Sequence, residues 1–315
     1  MWQRREFMRA AVVSTGVAAA GGLLTENASA AARARVVSEK KLDARTRDLT
    51  IYSPAMGRNM KVRVLLPRGW SRRRTWPVLW LLHGGTSDYT AWSRNSPIKQ
   101  MTAHRKVIVV MPEGGPGGGY TNWLVGPQWE TFHLVELRVI LEQRYKANKR
   151  RAVAGLSAGG YGALIYAARH PRAFKFAACF SGYGSTLQPG APEVLLTGIP
   201  GSGAEKFLMW GQPQVNKATW QAHDPLYRAA GLRGTGLYIS CARNGVKGPL
   251  DPKTAQAVDP AEAFVYYTTK PLIAKLRKLG IPVTTHIYAR GTHSWVYFVH
   301  EFKRSWPLIT KALNI

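Results

Sequence analysis

Apolar residues come along this chain in short runs separated by stretches of helical spacing, and that alternation sets the expected fold. Residues 48–53 and 60–67 alternate apolar with polar side chains, as half-buried strands do, with Pro54-Ala-Met-Gly57 between them as a turn. Pro77-Val-Leu-Trp-Leu-Leu-His83 and residues 106–111 are nearly continuous apolar runs, the pattern of parallel strands covered on both faces. Residues 152–154, 174–181, 237–241 and 283–288 continue the strand series, while 129–145, 160–169, 262–279 and 294–313 carry helical spacing. Strands alternating with helices predict an α/β fold: one domain over residues 31–315, with a mostly parallel central sheet and helices on both faces. From residue 182 to about 232 the pattern loosens into Gly- and Pro-rich connections with short helical pieces, an insertion placed to cover a site at the end of the sheet.

The N-terminus reads as an address rather than as fold. Gln3-Arg4-Arg5-Glu6-Phe7-Met8-Arg9 resembles a twin-arginine export signal, followed by a weakly apolar Ala/Gly/Val stretch and a small-residue cleavage site at Ala28-Ser29-Ala30. That stretch is too short and too poor in large residues for a membrane span, so the mature chain is expected outside the cytoplasm without a transmembrane segment. Cys179 and Cys241 lie in apolar runs and read as buried free thiols. A disulfide between neighbouring parallel strands is geometrically awkward.

Charge adds a partner class. The 315 residues carry 44 Lys and Arg against 17 Asp and Glu, a formal net charge of +27. Removing residues 1–30 takes away three arginines and two glutamates and leaves +26. Such a charge favours contact with an anionic envelope surface. No nucleic-acid module accompanies it, and the basic residues are scattered along the chain, as a solvated basic surface would be.

The chemistry centres on Gly155-Leu156-Ser157-Ala158-Gly159, which fits the G-x-S-x-G nucleophile elbow. An apolar strand precedes it and a small-residue helix, stopped by Pro171, follows it, so Ser157 is expected on a strained strand-to-helix turn with its hydroxyl exposed. A nucleophilic serine needs a base, and the base needs an orienting acid. In this order of elements the base falls after the last strand, which selects His293 in Ala289-Arg-Gly-Thr-His-Ser-Trp295. His170 lies at the wrong end of the elbow helix, His286 sits mid-strand and His300 on a helix face. For the acid, Asp251, Asp259 and Glu262 all remain open, because the run after Cys241 holds no carboxylate where one would be expected. Oxyanion donors would be the Ala158 N–H and one from the loop after His83-Gly84. No His/Cys/Asp cluster has zinc spacing, and the loop 114–119 lacks a phosphate-cradling pattern, so no metal or other cofactor is expected.

Six further stretches carry a resemblance: Trp92-Ser-Arg-Asn-Ser-Pro97, Gly119-Tyr-Thr-Asn-Trp123, Trp129-Glu-Thr-Phe132, Met209-Trp-Gly211, Asp224-Pro225 and Gly291-Thr-His-Ser-Trp295. In order, from about residue 45 to the end, the chain resembles the antigen 85 mycolyltransferases, a secreted branch of the esterase D group of α/β-hydrolases. The resemblance implies Glu262, opening the helix after Cys241-Ala-Arg-Asn-Gly245, as the acid, and Gly85 as the second oxyanion donor. It implies that Trp295 faces the acceptor. Trp92, Tyr120 and Trp123 read either as aromatic platforms along the cleft or as core packing. His83 stands where the family has an acidic acceptor-binding residue, and Thr86 where it has an arginine. The expected function is acyl transfer from a lipid or glycolipid ester to a sugar or other alcohol, or to water. The alternatives are a plain secreted carboxylesterase and, on the same fold, a non-catalytic wall-binding or polyanion-binding protein.

Overall fold

The computed structural model describes residues 33–199, 201 and 203–315, and the export-signal reading of residues 1–30 falls outside them. Nine strands make one sheet in the order β1-β2-β3-β5-β4-β6-β7-β8-β9. The strands are β1 (Arg35–Lys41), β2 (Thr46–Ser53), β3 (Arg58–Leu65), β4 (Trp76–Leu82), β5 (Ile108–Pro112), β6 (Ala147–Leu156), β7 (Phe176–Phe180), β8 (Gly236–Ala242) and β9 (Thr284–Tyr288). The first three are antiparallel and β3 joins β5 antiparallel; from β5 through β4 to β9 all neighbours are parallel. The two nearly continuous apolar runs are β4, buried except at Pro77, and β5, buried along its whole length as β7 also is. β1 was not legible from periodicity. Its sequence, Arg-Val-Val-Ser-Glu-Lys-Lys, is mostly exposed and charge-rich, which suits an edge strand that must not recruit another chain.

Helices cover both faces. Those used below are α1 (Ala91–Asn95), α2 (Ile98–Met101), α3 (Trp129–Thr131, widening to a π-helical Phe132–Leu137 and continuing as Arg138–Tyr145), α4 (Ala158–Arg169), α5 (Ala191–Thr197), α6 (Lys217–Ala222), α7 (Pro260–Lys278) and α8 (Trp295–Leu313). α4 is buried from Gly159 to Ala168, so its small residues let it lie close on the sheet with α3 and α7. On the other face α8 drives Phe298, Phe302, Ile309 and Leu313 onto β6, β7 and β8. The expected insertion lies between β7 and β8 as α5, α6 and two 3₁₀ turns. Cys179 and Cys241 are buried and unpaired. Among the described residues no helix is long and apolar enough to cross a membrane.

Candidate active site

Ser157 sits between β6 and α4 with φ 53° and ψ −125°, a conformation that non-glycine residues rarely adopt. Its neighbours explain how the turn closes. A Cβ on Gly155 would lie 2.0 Å from the Gly159 carbonyl oxygen, and one on Gly159 would meet the Leu82 and His83 carbonyl oxygens at 2.4 and 2.5 Å. The two glycines therefore let the first turn of α4 drop onto the end of β4. The Ser157 N–H donates to Phe180 O at 2.9 Å and its carbonyl accepts from Tyr161 N–H at 3.1 Å, which fixes the strained backbone from both sides.

The imidazole is placed differently. His293, in the loop between β9 and α8, donates from Nδ1 to Glu262 Oε2 at 2.8 Å, leaving Nε2 for the cavity. Glu262 is fully buried in the first turn of α7. Its other oxygen accepts from the Ser181 hydroxyl at 2.8 Å and from Ala242 N–H at 2.6 Å. Three donors hold this buried carboxylate in one orientation, with one oxygen turned to the imidazole. The other two candidate acids grip the loop rather than the ring. Asp259 Oδ2 accepts the His293 backbone N–H at 2.9 Å, while Asp251 accepts the Thr292 hydroxyl and the Gly248 N–H. Ser181 escaped the sequence reading; the signal for it is a polar residue closing the apolar run of β7 beside the nucleophile strand. Its φ of 48° points its hydroxyl toward Glu262 rather than along the strand.

Ser157, Ala158, Gly85 and His293 wall one cavity of about 340 Å³. Gly85 approaches Ala158 closely: a Cβ on Gly85 would be 3.8 Å from that of Ala158. Among the described residues neither amide N–H is taken by another group. Most of the remaining wall is apolar and comes from the insertion and its approach, with Tyr183, Leu195, Ile199, Met209 and Trp210. None of these five was named as cleft-lining from the sequence, because the loosened pattern of that segment gives no face.

The expected aromatic platforms do not line this cavity. Trp92 is 1% exposed; its indole N–H donates to Leu82 O and its ring packs edge-on against Phe180 and Phe302. Tyr120 is buried too, filling the space that Gly114 and Gly162 leave open, with its hydroxyl on the His83 carbonyl at 2.7 Å. Trp123 caps the glycine-rich loop through Gly118 O. Trp295 is partly buried, edge-on to Trp92 at 5.5 Å, beside His293 but outside the cavity wall. His83 also faces inward. Its Nδ1 donates to Gly84 O at 2.7 Å, and its Nε2 accepts from Gly114 N–H at 2.8 Å, so one ring nitrogen is spent on the oxyanion loop and the other on the loop after β5. Thr86 does line the cavity.

The Esterase family model matches residues 53–308. Esterase Rv1288 of Mycobacterium tuberculosis is 31% identical over 264 residues, 80% of this chain and 56% of that protein, so the chain spans little more than half of that relative's length. The diacylglycerol acyltransferase/mycolyltransferase Ag85A of Mycobacterium tuberculosis (strain ATCC 25618 / H37Rv) is 31% identical over 321 residues, 97% of this chain and 89% of that one. Among solved structures, Mycobacterium tuberculosis MPT51 (FbpC1) superposes with a TM-score of 0.70 at 24% identity, over 86% of this chain and 100% of that one. FphF, a fluorophosphonate-binding serine hydrolase of Staphylococcus aureus, does so with a TM-score of 0.67 at 23% identity, over 86% and 98%. At these identities the two structures share the fold.

Proposed function

The chain belongs to the Esterase family of α/β-hydrolases, in the branch that holds the antigen 85 acyltransferases, and on that premise we propose that it is an exported serine acyl-transfer enzyme. One observation carries the reading: a strained serine, a carboxylate-bound imidazole and two unengaged amides wall the same cavity. Ser157 Oγ attacks an ester carbonyl as His293 Nε2 takes its proton. Glu262 holds the Nδ1–H tautomer and stabilises the imidazolium that forms. The Gly85 and Ala158 N–H groups receive the oxyanion of the tetrahedral intermediate. Collapse of that intermediate expels the alcohol, protonated by His293, and leaves the acyl group on Ser157. An acceptor hydroxyl, deprotonated by the same imidazole, then releases it.

The acyl group fits the apolar wall of Leu195, Ile199 and Met209, which puts a lipid or glycolipid ester among the donors. For the acceptor, the inward-turned His83 favours water: the position that carries an acid in the antigen 85 enzymes has no free polar atom to offer a sugar. Sugar acylation is the second reading, favoured by the 97% coverage of this chain by Ag85A. Export through the twin-arginine-like segment and contact with an anionic envelope belong to the same proposal. Incubating the enzyme with an acyl ester, with and without trehalose, and weighing the products by mass spectrometry decides the acceptor. Free acid at a rate indifferent to trehalose supports hydrolysis, and acylated trehalose in excess of free acid overturns it. A fluorophosphonate that leaves Ser157 unlabelled would sink acyl-enzyme chemistry altogether.

A further inference from the structure

Twelve of the cations dispersed along the sequence are brought by the fold onto one edge of the sheet. In a parallel sheet every loop that enters a strand arrives at the same edge, opposite the one bearing the active site. Entering β4 are Arg72, Arg73 and Arg74, and entering β5 are Arg105 and Lys106, all exposed. β6 begins with the exposed Lys149 and Arg150, and Arg172 and Lys175 precede β7. Arg233 leads into β8, and Arg277 and Lys278 into β9. The segments 66–75, 103–107, 146–151, 170–175, 233–235 and 275–283 contain no Asp or Glu. Among the described residues none of these twelve cations is ion-paired to a side-chain carboxylate. The opposite edge, by contrast, is mixed in sign: Asp88, Glu113, Asp251, Asp259 and Glu262 follow the ends of β4, β5 and β8 among Arg94, Arg243, Lys247, Lys253 and Arg290. The C-termini of α3, α4 and α7 point at the basic edge and favour a few cations there, but a helix end accounts for one or two charges, not for six acid-free loops.

We propose that this edge is a docking surface for a linear, base-free phosphate polymer, which holds the protein with its active-site mouth turned away. Six parallel strands at about 4.8 Å spacing make a ridge about 24 Å long, a line of charge rather than a single-anion pocket. Beside it, Lys149 rims a cavity of about 350 Å³ in which Arg138 and Arg151 are held by Glu142, leaving Lys149 as a side chain with no ionic partner among the described residues. No large apolar side chain in the six segments is exposed, so the edge offers nothing to insert into a bilayer. It offers no exposed Phe, Tyr or Trp ring on which a base could stack either; its exposed rings are the imidazoles of His104 and His170.

The test is binding of labelled long-chain inorganic polyphosphate, read by anisotropy over a range of NaCl concentrations. Two triple variants are compared with the unaltered protein. R73E/K149E/K175E reverses the edge, and K217E/R243E/R290E reverses as much charge on the active-site side; none of these six side chains makes a hydrogen bond or ion pair among the described residues. The edge variant should bind at least about tenfold more weakly, with a salt slope shallower by about 2 from three lost phosphate contacts at about 0.7 each, and the control variant should stay within about threefold. Equal losses in the two variants overturn the proposal, since they would report net charge rather than a surface. So does single-stranded DNA binding more tightly than polyphosphate at equal phosphate, or retention on phosphatidylglycerol vesicles without polyphosphate binding. Circular dichroism and the thermal midpoint of each variant check that it is folded. Binding is read without turnover, so this proposal and the acyl-transfer reading fail separately.

Discussion

Ser157 and His293 face the same cavity but are held there by opposite means. The serine is placed by missing atoms: Gly155 and Gly159 remove the side chains that would keep α4 off β4, and the backbone is forced through φ 53°. The histidine is placed by added charge: Glu262 on its ring, Asp259 on its backbone N–H and Asp251 on the neighbouring threonine hydroxyl. Steric placement is all-or-none, because a packed backbone cannot give by an ångström. Placement by hydrogen bonds is divisible, so each carboxylate should be removable with its own partial cost.

The largest effect should come from the one carboxylate that touches the ring. In E262Q the amide would present an N–H to Nδ1, forcing the proton onto Nε2 and leaving no lone pair for the Ser157 proton. Turnover of a soluble ester should fall by about 10⁴-fold while the thermal midpoint changes little. A loss below tenfold would place the acid elsewhere. On the serine side, G159A should strike the fold itself. A methyl group 2.4 Å from the Leu82 carbonyl oxygen has nowhere to go, so stability should drop by about 3 kcal/mol, with activity lost in proportion. A G159A protein with an unaltered urea midpoint would show that the elbow can breathe and that the contrast is false.

A second histidine sharpens the comparison. His133, in the π-helical stretch of α3, is fully buried and meets only neutral groups. Its Nε2 lies 2.8 Å from the Glu113 carbonyl and its Nδ1 2.8 Å from the Tyr166 hydroxyl. Burial pushes its pKa down to about 4, outweighing the Glu113 carbonyl and the more distant Glu113 and Glu130 carboxylates, which raise it. The folded value lies below the unfolded one, so the unfolded chain binds the extra proton and stability falls as pH drops from about 6.5 towards 4. Between pH 7 and pH 5 the loss assignable to His133 is about 2 kcal/mol. Urea midpoints at the two pH values should show a smaller drop in H133Q, whose amide does not titrate; an identical drop would remove His133 from the acid response.

The serine side was readable and the carboxylate side only half so, for a physical reason. Steric placement leaves its signature in adjacent residues: Gly155, Ser157 and Gly159 are close in sequence because the contact they permit is local. The parallel strands were legible for the same kind of reason, because burial on both faces writes an unbroken apolar run. Glu262 and His293 meet across 31 residues, and periodicity cannot choose among Asp251, Asp259 and Glu262; only the likeness to a known family did. The aromatic residues, open between cleft and core in the sequence, are more instructive. Trp92 and Tyr120 belong to motifs shared with the antigen 85 enzymes, yet each is buried and bonds the backbone at the end of β4, Leu82 O and His83 O respectively. They brace the oxyanion loop from behind, a role that a motif match cannot distinguish from contact with a ligand. Nor could charge counting foresee the basic edge, since its cations are neighbours only once the strands align.

The smallest effects should separate the two aspartates, and they decide whether placement by charge is divisible at all. Asp259 caps α7 through Ala261 N–H and at the same time holds the His293 N–H at 2.9 Å, so it ties the base to the helix that carries the acid. D259N keeps one acceptor oxygen but loses the charge, and a hydrogen bond to a charged group is worth about 1.5–3 kcal/mol against about 1 for a neutral one. The variant should therefore lose about tenfold in kcat with little change in KM, because the imidazole drifts without any change in the acyl wall. Asp251 acts one residue further away, through the Thr292 hydroxyl and Gly248 N–H, and D251N should cost no more than about threefold. The double variant should show the product of the two losses if each aspartate holds its own atom. A double variant no worse than D259N alone would mean that the loop is one cooperative clamp, as indivisible as the elbow it faces.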